Sequence, residues 1–321
     1  MMKKLVAPCV SLLISAAPAA AWAQAAPEAA PAPEAAPAAD APKPAPAPYS
    51  LPWMMRGVVP GNVVRLDTVF AFSKPRTTVP VLLFGSYKIL PNLAAIVRLG
   101  VIHNRAEDPK VGSGTAFVNP AIGVMYGLPL GKSVKTSFFA ATTIPVGMGG
   151  GDTPNASARS ANLPSGIFAR ASMDNALFQI NYLTPMVGAD IAYIASGFTV
   201  QAEVTLLELI RVRGAAVDKD AARTNLTAGL HAGYFPIPQL SIGTELRYQY
   251  WIEHDTIEKG PDPSAVDHWT LGFGPRAHFK IGEKMWLRPG VSLTMGLDLP
   301  TGFSAGGQEY KIVQVDVPFA F

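Results

Sequence analysis

The chain has 321 residues, 49% of them apolar and only 15% charged, with a formal net charge of +3. So small a charge excludes a polybasic, nucleic-acid-seeking surface. So much apolar character must face either a core or lipid.

Met1-Met2-Lys3-Lys4 is a charged start, Leu5 to about Ala16 an apolar run, and Ala21-Trp22-Ala23 a small-x-small site before Gln24. This pattern predicts a secretory signal peptide over residues 1–23. Its removal takes the only cysteine, Cys9, and two lysines, so that +3 less 2 leaves +1. The mature chain then crosses an oxidising compartment without needing disulfides. No later run of 18 or more uncharged apolar residues follows, so no transmembrane helix is predicted.

Residues 24–49 are almost entirely Ala, Pro, Glu, Asp and Lys. Such a segment has nothing to bury and stays extended. At polyproline rise it reaches roughly 80 Å, and residues 24–50 are read as a periplasmic linker with the cell wall as a candidate partner. Residues 51–62 mix Trp53, Met54, Met55 and Arg56 with Gly and Pro. They are read either as a short plug or as a segment against the foot of the remaining domain, 51–321.

From Val63 onward twelve strands are predicted, at about 63–72, 79–89, 93–103, 116–127, 133–144, 187–195, 197–212, 224–234, 238–253, 266–280, 284–297 and 309–321. Their side chains alternate. Trp269, Leu271, Phe273, Ala277 and Phe279 oppose His268, Thr270, Arg276, His278 and Lys280, and the other strands repeat this with one greasy and one polar wall. The segment 133–144 puts Phe139 on the inward side, and 197–212 puts Glu208 on the outward side. Residues 163–183 are read either as a loop helix or as two further strands, making fourteen.

The links alternate in length. Residues 90–92, 128–132, 196–197, 235–237 and 281–283 are short; 104–115, 145–186, 213–223, 254–265 and 298–308 are long; only 73–78 departs from this. Short turns at one end and long loops at the other are the signature of an up-and-down transmembrane β-barrel. Trp269 and Phe279 lie ten residues apart on the outward face, roughly 25 Å along a tilted strand, and would sit in two aromatic girdles.

The closing strand carries the same pattern. Val313, Val315, Val317, Phe319 and Phe321 share a face opposite Gln314, Asp316, Pro318 and Ala320. Gln314, Phe319 and Phe321 resemble the C-terminal signal read by the outer-membrane insertion machinery, although Asp316 stands where that signal has Gly. Residues 63–321 resemble Gram-negative outer-membrane β-barrels. Thr142-Thr143-Ile144-Pro145-Val146-Gly147, running into a Gly-rich loop, loosely resembles the outer-membrane channels encoded with aromatic-degradation pathways. That resemblance implies an outer-membrane location and uptake of small, rather apolar solutes; it transfers no functional residue.

By parity the lumen would display Arg65, Asp67, Arg98, Glu203, Arg211, His231, Glu245, Arg247, His268, Arg276, His278, Arg288 and Asp316, together with Lys88, Asp190, Arg213 and Lys280. A set of mixed sign with bases ahead supports two readings: an interior that satisfies its own charges, or a solute path favouring polar or anionic molecules. Catalysis has little footing. No His is followed by Ser two residues on, and the Gly147–Asp152 stretch lacks the Lys-Ser/Thr of a phosphate loop. No His/Cys/Asp/Glu spacing matches a metal-ligand set, and no cofactor is predicted.

The 145–186 loop is the candidate selective element, read either as a plug or gate or as a mobile surface loop, since so long an irregular loop is usually functional or disordered. Pro275 and Pro289 on neighbouring strands are read as bulges or as a lateral seam. The expected molecule is therefore an outer-membrane channel or transporter for small solutes. A barrel hydrolase and an envelope-tethering barrel are the alternatives.

Overall fold

The computed structural model describes residues 48–73, 76–107, 112–166, 169–170, 174–214, 222–252, 268–297 and 310–321. The signal-peptide reading, most of the linker, and the loops at 254–265 and 298–308 lie outside these residues. Among the described residues no helix is long and apolar enough to cross a membrane.

Fifteen strand segments make twelve staves. They are β1 (Val63–Ser73), β2 (Arg76–Leu90), β3 (Leu93–Ala106), β4 (Gly114–Phe117), β5 (Ala121–Pro129), β6 (Val134–Thr143), β7 (Tyr182–Ala195) and β8 (Phe198–Arg211). There follow β9 (Ala222–Ile237), β10 (Leu240–Trp251), β11 (His268–Ala277), β12 (Phe279–Ile281), β13 (Met285–Leu287), β14 (Gly290–Leu297) and β15 (Tyr310–Ala320). Three staves are interrupted: β4 with β5, β11 with β12, and β13 with β14. Every pairing is antiparallel, and β1 pairs with β15 from Val63↔Ala320 to Ser73↔Tyr310, which closes the barrel. Closure removes the sheet edge, so no ladder of backbone groups is left to face lipid.

The twelve-strand expectation holds, and residues 163–183 do not add two more. Among the described residues of that segment a short helical turn stands at Asn175–Phe178, and another precedes it at Ala156–Ser160. The strand expected at 187–195 starts earlier, at Tyr182. Five non-polar residues in Tyr182-Leu183-Thr184-Pro185-Met186-Val187 blur its alternation, and Pro185 hides the start. Both chain ends of the barrel lie at one rim, the terminal end, with the tight turns. The Ser196-Gly197 turn there has two positive φ angles, 52° and 79°, the geometry that tightens a two-residue hairpin.

Exposure alternates along the staves. In β8, Val200, Val204 and Leu206 are exposed while Thr199, Gln201 and Thr205 are buried. Phe139 is buried in the lumen, and Glu208 sits half-exposed on the outer wall, where it accepts a hydrogen bond from the Thr224 hydroxyl at 2.7 Å. Trp269 stacks on Tyr248 at 4.4 Å between ring centres, and Phe319 on Phe321 at 6.0 Å. Apolar outside and polar inside is the inverse of a soluble core, and it fits a wall against lipid.

The two prolines do not make a bulge. The β11–β14 register is the same at Phe273↔Leu293 and Arg276↔Gly290, with the intervening pairs missing. Proline lacks the N–H that the ladder needs there, and the Ala277 N–H donates to the Pro289 carbonyl at 2.9 Å just below the gap.

Candidate functional site

Residues 49–58 enter the barrel from the terminal end and fill it. Trp53, Met54, Met55 and Val58 are each buried to 4% exposure or less. Pro52 and the surrounding irregular backbone form no helix or strand, so the backbone groups need other partners. The barrel wall supplies them from charged side chains. Glu245 accepts the N–H groups of Trp53 and, at 3.2 Å, Met54. Glu203 accepts the Arg56 N–H at 2.7 Å, and Thr199 the Ser50 N–H at 3.0 Å. Arg65 donates to the Pro52 carbonyl at 3.1 Å and to that of Trp53, while Gln201 donates to the Arg56 carbonyl at 2.7 Å.

Side chains complete the plug. Arg56 pairs with Glu203 at 2.6 Å and lies 3.5 Å over the Phe139 ring. The Tyr49 hydroxyl donates to Gln201 at 2.5 Å and accepts the Val58 N–H at 3.1 Å; burial holds its pKa well above the ordinary phenol value. Trp53 meets His231 edge-on at 5.8 Å. Two wall glycines face these groups. A Cβ on Gly229 would stand 2.7 Å from the Met55 sulfur, and one on Gly243 3.1 Å from Trp53. Side chains at these positions would occupy the space the plug takes.

A second constriction comes from the opposite, loop end. The turn Asn175–Phe178 folds inward, burying Leu177 and Phe178 against Leu82, Ile102, Ala116 and Val118. Asn119, in the gap between β4 and β5, anchors it. Its backbone N–H donates to the Leu177 carbonyl at 2.8 Å, its side-chain amide to Gln179 at 2.9 Å, and its side-chain oxygen accepts from Gly147 at 2.8 Å. Arg213 ties the two roots of the loop together through the carbonyls of Pro145, at 2.6 Å, and Ile180, at 3.3 Å.

Ion pairs run between the two constrictions. Asp174 holds Arg98 at 3.0 Å and Arg170 at 2.7 Å; Arg98 also holds Asp67 at 3.1 Å, and Arg65 holds Asp67 at 2.6 Å and Asp316 at 2.9 Å. Arg276 takes the same Asp316 oxygen at 2.7 Å, and Arg247 grips Glu245 at 2.5 Å. Burial alone would raise the Asp174 pKa, but the guanidinium groups of Arg98 and Arg170 outweigh it and hold the carboxyl below its ordinary value. Between plug and loop lies a small pocket of about 60 Å³, with Arg56, Arg98, Asp174 and Thr205 set among Phe84, Ile96, Phe139, Leu177, Met186 and Leu207.

The inward residues read from the sequence are placed as follows. Asp67, Asp190, Glu203, His231, Glu245, Arg247, Arg276, His278 and Asp316 are buried, and Arg65, Arg98, Arg211, Arg213 and Arg288 half-buried. Lys88 and Lys280 are exposed near the terminal end. His268 pairs with Gln249 in the ladder, and its side chain lies outside the described residues. On the outer wall, Phe279 is exposed and Trp269 half-exposed, with Phe319 and Phe321 beside the terminal end. Gln314, on the polar face of the closing strand, is fully buried in the lumen, where it donates to the Trp53 carbonyl at 3.0 Å.

Sequence reasoning passed over Tyr49, Asn119, Asn175 and Gln201. Each is a single polar residue whose partners lie far off in the chain. Tyr49 and Ser50, counted with the linker, belong to the plug. One Ser–His–carboxylate grouping does exist, with Ser50 Oγ 3.2 Å from His231 Nε2 and Glu245 Oε1 3.7 Å from His231 Nδ1. It is poorly arranged for catalysis. Glu245 is already occupied by Arg247 and the plug backbone, and Ser50 is itself part of the plug, 2% exposed. Among the described residues no group of His, Cys, Asp and Glu is arranged to hold a metal ion.

No family model matches this chain, and no curated protein matches it in sequence. Solved structures do match. The COG4313 outer membrane channel from Pseudomonas putida F1 superposes with a TM-score of 0.52 over 84% of this chain and 98% of that one, at 11% identity. The NanC porin (TM-score 0.46, 9% identity, 80% and 98% covered) and the KdgM porin (0.41, 10%, 80% and 99%) are more distant. At these identities the likeness shows the fold alone: a closed antiparallel barrel of the outer-membrane type.

Proposed function

We propose that the chain is an outer-membrane channel for passive passage of small solutes, held shut by its own plug and loop. The observation that carries the reading is the cavity between Arg56 and Asp174. It is small, largely apolar, edged by charge, and flanked on either side by segments that belong to no stave. The plug is bound through side chains and can leave without breaking the barrel ladder. The mixed apolar and charged lining suits a small, rather apolar solute bearing a polar group. The lipid bilayer is the surrounding partner. The C-terminal Phe319 and Phe321 are assigned to recognition by the insertion machinery, and the linker before the plug, residues 24–48, to a periplasmic arm in reach of the cell wall.

Single-channel recording of the refolded protein tests this. The full chain should show rare openings of low conductance, and a variant lacking residues 49–58 frequent ones. Small aromatic acids and neutral aromatics serve as candidate blockers. A deletion variant that folds as a barrel yet passes no ions sinks the channel reading.

A further inference from the structure

The outer wall is apolar almost throughout, and among the described residues its cations near the loop end gather in one place. Near the loop end, neighbouring staves bring outward-facing residues into one row. The register sets Lys311 on β15 beside Phe72 on β1, Phe72 beside Thr77 on β2, and Thr77 beside Arg105 on β3. Two residues deeper on β3, His103 faces the same way and is hydrogen-bonded to Thr115 at 2.9 Å. Lys311, Arg105 and His103 are all exposed, while their inward neighbours Ile312 and Asn104 are fully buried.

Among the described strand residues these three are the outward-facing cations near the loop end. Glu107, exposed just past the end of β3, is the nearest carboxylate among the described residues along that strand, and no ion pair joins it to them. The outer wall of the distant β8 carries Glu208 instead. Among the described residues the outward-facing cations near the loop end are therefore grouped on the face formed by β15, β1, β2 and β3. Three stave spacings separate Lys311 from Arg105, about 14 Å. Phe72, within the row, and Phe70, beneath it, are 47% and 37% exposed and turn toward the surroundings of the barrel.

We propose that this face, formed by β15, β1, β2 and β3, is a binding site for a lipid bearing phosphates at both ends of its headgroup. Lys311 and Arg105 would each take one phosphate in a charge-assisted contact, the Thr77 and Thr115 hydroxyls would lie against the headgroup, and Phe70 and Phe72 would pack along acyl chains. The site rests on the loop end lying in the leaflet that carries such lipid. It does not depend on the lumen conducting.

The probe is bisphosphorylated lipid A, added to the full-length barrel in neutral detergent, with dephosphorylated lipid A and phosphatidylcholine alongside. Retained lipid is read by native mass spectrometry and stabilisation by the thermal midpoint. The wild type should retain and be stabilised by the bisphosphorylated lipid alone. R105Q/K311Q should lose affinity by about tenfold or more, and R105K/K311R should keep it. Equal retention by R105Q/K311Q and wild type would overturn the site, as would equal binding of dephosphorylated lipid A. The neutral pair avoids the misassembly that charge reversal risks on a lipid-facing wall. Conductance recorded on the same samples should be unchanged, since both side chains point away from the lumen. Loss of conductance in all samples would fault the channel reading and leave the lipid site standing.

Discussion

Gln314 and Arg170 meet inside the barrel: the Arg170 guanidinium donates to the Gln314 side-chain oxygen at 3.1 Å, while the Gln314 amide donates to the Trp53 carbonyl at 3.0 Å. One wall residue thus holds both the loop and the plug. Removing it should loosen both. Q314A is expected to raise open probability and lower stability by about 1–3 kcal/mol, the cost of leaving buried groups without partners. R170A should act in the same direction. Because the two share one contact, Q314A/R170A should open less than the sum of the single changes. Additive effects in single-channel records would show that plug and loop move independently.

Arg56 is the plug's strongest charged attachment, tied to a Glu203 side chain that is 3% exposed. R56A leaves that carboxylate and its neighbour Asp190, directly across the ladder, without the cation. Stripping one partner from a buried pair costs about 3–5 kcal/mol. R56A should therefore show both a lower unfolding midpoint in denaturant and a larger conductance. E203Q should have the smaller stability effect, because an amide keeps the hydrogen bonds without stranding a charge.

Asp174 provides a pH test of the loop. Its folded pKa lies below the ordinary value of 3.8. A depressed carboxyl contributes stability that is present above its unfolded pKa and lost as pH falls through the folded one. The loop should stay latched through neutral and mildly acid pH, and loosen only below the usual carboxylate range. D174N should already be loosened at pH about 7 and show little further change on acidification. A wild-type channel whose opening is as acid-insensitive as D174N would remove Asp174 from the latch.

Trp53 fills the centre of the plug at 1% exposure. W53A should weaken plug docking by about 3–5 kcal/mol, the range for deleting a large buried aromatic. G229L should achieve a similar release from the wall side, since its new side chain would contest the space of Met55. Both variants should give higher conductance with an intact heat-modifiable barrel band. Protease sensitivity at the Tyr49–Pro60 segment should rise with them. Unchanged protection would mean that the plug is held by the carboxylates alone.

The arrangement of charge in the lumen changes what Arg247 and Arg276 can be asked to report. Each is about 1% exposed and committed to a carboxylate, Arg247 to Glu245 and Arg276 to Asp316. Of the two readings of the interior, the pairs seen here belong to the one in which charges satisfy one another. Arg98, half-buried on the cavity wall, is the better candidate for meeting a solute.

Much of the barrel was legible because strand parity is local. Leu226, Leu230 and Tyr234 against Asn225, Thr227 and His231 need only the two-residue period and one greasy side. The same period put Phe139 inward and Glu208 outward against ordinary preference. The plug was legible only as a question. Trp53-Met54-Met55-Arg56 has no period, so nothing in it says whether it lies inside the barrel or beneath it. The loop was visible as a long connection, yet its anchor Asn119 was not, since a lone Asn carries no pattern.

By itself, the amino-acid sequence determined the alternating wall: most of its staves, its apolar outer face and its polar inner one. Alternation and loop length are properties of neighbours in the chain, and they survive without knowledge of the fold. Only the tertiary structure decided what those charges do. Glu245 lies 192 residues from Trp53, and Gln314 lies 144 from Arg170. Which carboxylate caps which backbone N–H depends on barrel closure and on how far each inserted segment reaches into the lumen. That geometry turned a row of inward ionisable residues into a clasp on the plug and the loop.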